Sequence, residues 1–97
     1  MMTNHLKTWP LYFRDVISGV KTFEARKDDR GFNVGDTLVL QEFHPDGDPD
    51  EAWNQTASGA PVGRYTGREV RATVTYILRG TGHVAPGFCI LSIRGEP

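Results

Sequence analysis

Between Trp9 and Phe43 the spacing of apolar residues changes character, and that change limits the chain to a short menu of folds. Phe13, Val16 and Ile17, and more loosely Val20, recur at helical spacing. From Lys21 onward apolar and polar residues alternate, which is the period of a strand. Thr8 offers an N-cap, Pro10 suits a first helical turn and Gly19 a left-handed stop, so the expected helix runs from about Trp9 to Ser18. A chain of 97 residues has room for one modest core and not for two. The helix and the strands after it must therefore share that core.

In "KTFEAR", Phe23 and Ala25 fall on one face and Thr22, Glu24 and Arg26 on the other. The polar face has two readings: a solvated surface, or groups aimed into a site. "TLVLQEF" follows a Gly35-Asp36 turn and is apolar on both faces, as a strand in a small barrel or under a helix would be. The stretch from His44 to Gly63 is rich in Pro, Gly, Asp and Ser without apolar periodicity, so a flexible acidic loop is expected at about 44–63. Alternation resumes at "RYTGREVRATVTYIL", with Thr66-Gly67 marking a tight turn, and "FCILSIRG" closes the chain as an apolar strand. One helix followed by four or five strands points to a single domain over 1–97 of α+β or mostly-β class, built as a small barrel.

Several function classes fall away. No segment approaches the eighteen or so consecutive apolar residues that cross a bilayer, and the start "MMTNHLKTWP" lacks the apolar core of a secretory signal. A cytoplasmic protein without a membrane partner is expected. Cys89, the single cysteine, sits in "FCILSI" and reads as a buried small hydrophobe. His5, His44 and His83 are far apart, and "DGDPDE" breaks the calcium-loop pattern at Glu51 and Ala57, so neither a metal nor another cofactor is expected. Net charge is -1, but Asp46, Asp48, Asp50 and Glu51 cluster in one segment; without them 8 acidic residues stand against 11 basic ones, leaving +3. A local basic surface is consistent with that asymmetry.

The candidate site gathers around "GVKTFEARKDDRGFNVGD". Lys21 lies at the helix-to-strand corner, Glu24 and Arg26 share the strand's polar face, and His5, Lys7 and Trp9 precede the helix that feeds it. Amines for phosphate and a ring for stacking are what a single-stranded nucleic acid or a nucleobase requires. A Lys–Glu couple is also what proton transfer requires. Trp9 can equally serve as the hydrophobic staple of the helix.

The order "HxLK", a short helix, "GxKTFExRKxDRxFxVGDxLxLxEF", "YTGRE", "VTYIL" and "PGFCILSI" resembles a small family of phage and bacterial domains of unassigned function. That family is placed in the ASCH superfamily, which shares the PUA-like barrel. The resemblance covers nearly the whole chain outside about 46–62. It implies five or six strands, one or two flanking helices, and a basic cleft beside the first helix that takes RNA or a nucleotide. Its recurrent polar positions correspond here to His5, Lys7, Lys21, Glu24, Arg26, Lys27, Asp29 and Arg30, and Tyr65 joins Trp9 as a stacking candidate. Some relatives in the superfamily are amidohydrolases of acetylated cytidine that use a Lys, a Thr three residues on and a distant Glu. Lys21 matches the lysine, Glu24 stands in place of the threonine, and no acid aligns with the distant glutamate, so that activity does not carry over intact. RNA or nucleotide binding is the leading expectation. A metal-independent hydrolase of a modified nucleoside, with Lys21 and Glu24 sharing proton transfer, is the alternative; a phage-encoded protein-interaction module acting through the acidic loop is a third.

Overall fold

The computed structural model describes residues 1–45 and 63–96. Its elements run β1 (Thr3–Thr8), α1 (Pro10–Ile17), β2 (Phe23–Lys27), β3 (Thr37–Pro45), β4 (Gly63–Leu78) and β5 (Phe88–Gly95). The strands form one sheet in the order β1-β3-β4-β5-β2, in which β1 is parallel to β3 and the other neighbours are antiparallel. The class is mostly β, with five strands and one short helix among the described residues.

The sheet curls until its two edges meet. Met2 O accepts from Thr37 N toward β3, so alternation leaves the carbonyls of His5 and Lys7 on the opposite, unpaired edge of β1. Arg26 Nη2 of β2 donates to Lys7 O at 2.8 Å, and Arg30 Nη1 donates to His5 O at 3.2 Å. Laid flat, edges four strand spacings apart would be separated by roughly 19 Å. The result is a half-barrel whose seam is closed by guanidinium groups instead of a backbone ladder. This closure also covers an exposed strand edge, which would otherwise invite pairing with another chain.

Leu6, Phe32, Leu38, Leu40, Ala72, Val74, Cys89, Leu91 and Ile93 fill the concave side, and Val16 of α1 packs against them. Leu38, Leu40 and Leu91 are each 0 % exposed, so each burial stabilises by about 2 kcal/mol. The turn before β3 is locked by Asp36, whose Oδ1 accepts from Met2 N and Oδ2 from Asn33 N, both at 2.9 Å.

Four expectations are corrected. "HLKTWP" is not a lead-in to the helix: most of it belongs to β1, where Asn4, Leu6 and Thr8 point inward, and two of those three are polar. The helix occupies the expected residues, but its N-cap is Trp9 and makes no side-chain capping bond, while Thr8 ends the strand. Thr66-Gly67 is not a tight turn. Gln41 pairs with Glu69 and Phe43 with Tyr65, so Glu42 alone faces Thr66, Gly67 and Arg68 in a bulge inside one long strand. Gly67, at φ 93, supplies the left-handed backbone that this bulge uses. Finally, His44, Pro45 and Gly63 belong to strands; a Cβ on Gly63 would sit 2.6 Å from His44 O and from the Phe43 ring. The rest of the expected acidic loop, with Asp46, Asp48, Asp50 and Glu51, lies outside the described residues.

Candidate functional site

A cleft of about 520 Å³ opens where the seam meets the start of α1, lined by Lys7, Thr8, Trp9, Tyr12, Lys21, Phe23, Glu24, Ala25 and Arg26. Its position follows from topology. β1 and β2 are consecutive strands in the chain but opposite edges of the sheet, and α1 connects them across the opening.

Glu24 forms the floor. Its side chain is 5 % exposed, and each carboxylate oxygen has its own cation: Lys21 Nζ donates to Oε1 at 2.8 Å, and Arg26 lies 3.0 Å from Oε2 through Nη2 and 3.2 Å through Nε. A buried carboxylate is costly unless paired and hydrogen-bonded, and here both conditions hold. The cations are held in turn by backbone. Lys21 Nζ also donates to Phe23 O at 2.6 Å, and the Arg26 guanidinium reaches Lys7 O and the Thr8 hydroxyl, the latter at 3.3 Å. At Glu24 and Arg26 the polar face of "KTFEAR" thus looks inward as an ion-paired network, while Thr22 on the same face is exposed.

Aromatic rings form the walls. Trp9 and Tyr12 stack with centroids 5.7 Å apart and planes 20° from parallel, as their three-residue separation at the helix start allows. Lys21 Nζ lies 4.9 Å from the Phe23 ring centroid and 5.6 Å from that of Tyr12, so two rings face the ammonium. Lys7 Nζ sits at the rim, 5.5 Å from the Phe43 centroid and 5.8 Å from that of Tyr65. Three cations and one carboxylate leave the charged lining with a surplus of positive charge.

Of the residues expected from sequence, Lys7, Trp9, Lys21, Glu24 and Arg26 converge on the cleft. Tyr65 stands beside Lys7 and forms no part of the lining. His5, Lys27 and Arg30 do not line it either; Arg30 serves the seam through His5 O, and Lys27 is exposed at the end of β2. Asp29 is exposed in the turn after β2. Sequence reasoning missed Thr8, Tyr12, Phe23 and Ala25 as lining residues. Tyr12 carried a usable signal, being three residues after Trp9 on a helix; Thr8 carried none until β1 was known to be a strand.

A second carboxylate lies on the sheet's inner side near this site. Glu42 of β3, paired in register with Thr8, accepts from the Thr66 hydroxyl at 2.7 Å and lies 3.8 Å from Arg68, whose guanidinium is 5.1 Å from the Phe13 ring centroid. No described helix is long and apolar enough to cross a membrane.

A small mostly-β half-barrel with a cleft at its seam, floored by an ion-paired carboxylate and walled by aromatic rings, is the class of protein these features define. Residues 3–93 match the family described as a domain of unknown function (DUF3850), and the chain belongs to that family. It is similar to an uncharacterized 12.9 kDa protein in the GpA 3′ region of Escherichia phage P2, with 36 % identity over 72 residues, or 74 % of this chain and 50 % of the phage protein. The chain therefore matches about half the length of that relative.

Proposed function

We propose that the cleft binds the base of a nucleotide or of a single-stranded RNA residue, on a domain that shares the ASCH/PUA-like barrel. The observation that carries this reading is Glu24, held between Lys21 and Arg26 on the floor of a cleft walled by Trp9, Tyr12 and Phe23. A nucleobase is a planar ring with donors and acceptors around its edge, and this cleft pairs flat apolar walls with a floor that offers both. Glu24 accepts from an exocyclic amine, while Lys21 and Arg26 donate to ring carbonyls. Lys7 at the rim meets phosphate. Volume supports the reading as well, since about 520 Å³ lies within the range of roughly 300–1,000 Å³ usual for small-molecule sites.

Binding is put ahead of hydrolysis because Lys21 is taken up by Glu24 and Phe23 O and Glu24 by Arg26 as well, so the pair offers fixed donors and an acceptor. The Lys21–Glu24 contact keeps proton transfer as the second reading. Isothermal titration with the four nucleoside monophosphates tests the proposal. At least one should bind, with affinity falling on the order of ten-fold in Glu24→Gln and declining with added salt. Absence of binding to all four, with the protein folded, would sink the reading. Release of acid from acylated cytidine, above a Glu24→Gln control, would replace it with the hydrolase.

A further inference from the structure

The convex face of β2, β5 and β4 carries an arrangement that starts at Phe23 on the cleft's lip and runs beyond the cleft. Phe23 and Tyr76 are both paired in register with Ser92, one from each side, so the three residues form a row across the sheet with a small residue between two rings. Both rings are open to solvent, Phe23 at 46 % and Tyr76 at 61 % exposed. Two strand spacings separate them by about 9.5 Å. Stacked rings sit with centroids roughly 4.5–7 Å apart, so one planar ring between two others needs about 9–14 Å. At the backbone the row thus has the spacing of a slot one base thick, with Ser92 between the two rings. Further along β5, roughly 13 Å from Ser92, Phe88 is a third exposed ring and pairs in register with Lys27 of β2.

Charge decides what covers this face. The charged side chains that β2 and β5 present on it are Lys27 and Arg94, and β4 adds Arg71 and Glu69, all four exposed. Glu96 accepts from the Thr73 hydroxyl beside Arg94, so bases outnumber acids three to two. A second copy of the chain would set like net charge against like, whereas a phosphodiester strand is attracted by Lys27 and Arg94, the basic groups nearest the rings, while its own bases stack on those rings. The face is also continuous with the cleft, because Phe23 lies at the cleft's lip with Lys21 Nζ over its ring. We propose that single-stranded RNA is the occupant: one base enters the cleft, the strand passes over Phe23, and following bases stack between Phe23 and Tyr76 and on Phe88. The Ser92 hydroxyl, donor and acceptor in one, suits a ribose 2′-hydroxyl. The inference rests on the cleft reading for the path of the strand, while the stacking face is tested separately.

The experiment is fluorescence anisotropy with a labelled ten-nucleotide RNA, its DNA counterpart and a nucleoside monophosphate, on the intact chain and on Tyr76→Ala, Tyr76→Phe, Phe88→Ala and Lys27→Ala. Thermal melts establish that each variant is folded. Expected results are RNA affinity about ten-fold lower in Tyr76→Ala and in Phe88→Ala, near-normal affinity in Tyr76→Phe, and a salt slope shallower by about 0.7 in Lys27→Ala. Monophosphate affinity should be unchanged in all four. RNA binding that all four variants leave intact overturns this inference and spares the cleft; RNA binding that falls in Tyr76→Ala while no monophosphate binds upholds it and removes the cleft reading. Preference for DNA, no RNA binding at all, or self-association abolished by Tyr76→Ala would each overturn it.

Discussion

Asp36 and Glu24 are both buried carboxylates, 1 % and 4 % exposed, but their partners differ in kind. Asp36 takes its hydrogen bonds from the backbone amides of Met2 and Asn33, donors that cannot leave without unfolding the turn and the start of β1. Glu24 takes its bonds from Lys21 and Arg26, side chains 15 % and 21 % exposed that line a cleft. The same functional group, about equally buried, joins backbone segments in one place and sits in a side-chain network lining a cleft in the other. Whether its donors belong to backbone or to side chains makes the difference.

The largest effect that tests this comparison is Asp36→Ala. Two backbone amides lose charge-assisted acceptors worth about 1.5–3 kcal/mol each, so denaturant unfolding should show a loss of about 3 kcal/mol or more, and calorimetry a melting temperature lower by roughly 15 °C. Affinity per folded molecule should not change; a specific loss of ligand binding would erase the distinction. Glu24→Gln should cost less stability, about 1–2 kcal/mol after allowing for partial solvent access to both cations, while ligand affinity drops. A stability loss as large as that of Asp36→Ala would make Glu24 a joint as well.

Arg26→Ala sharpens the same contrast at the seam. Loss of the bonds to Lys7 O and Glu24 should cost about 1 kcal/mol and speed amide exchange along β1, with β3 and β4 protected as before. The smallest effect concerns Cys89. Burial, and secondarily the nearby Asp28 charge, push its thiol above the ordinary 9.0. The unfolded chain therefore ionises first as pH rises: the contribution to stability is whole below the ordinary thiol range and is lost as pH climbs through the folded value. Alkylation by iodoacetamide at pH 8 should be slow in the folded protein and fast in denaturant; fast labelling of the folded state would show that the core opens there.

Much of this was legible from the residues. The helix over "PLYFRDVI", the strands at "FEARK", "TLVLQEF" and "FCILSIRG", and the convergence of Lys7, Trp9, Lys21, Glu24 and Arg26 followed from periodicity and proximity along the chain. The strand Thr3–Thr8 escaped because two of its three inward residues, Asn4 and Thr8, are polar, so alternation carried little apolar contrast. The bulge at Thr66–Arg68 escaped because a Gly at positive φ serves a turn and a bulge alike, and the register of the neighbouring strand alone distinguishes them.

The order of residues was enough to determine which side chains share a face, since a strand's period is set by its own backbone. It was not enough to say which face looks inward. That depended on β2 crossing to the far edge of the sheet, where Arg26 closes the seam on Lys7 O and, with Lys21, neutralises Glu24. With its charge satisfied there, the carboxylate can be buried, and Phe23 and Ala25 are left on the outside. Face sharing is local geometry; direction is a balance of desolvation and pairing that exists only once distant strands have met.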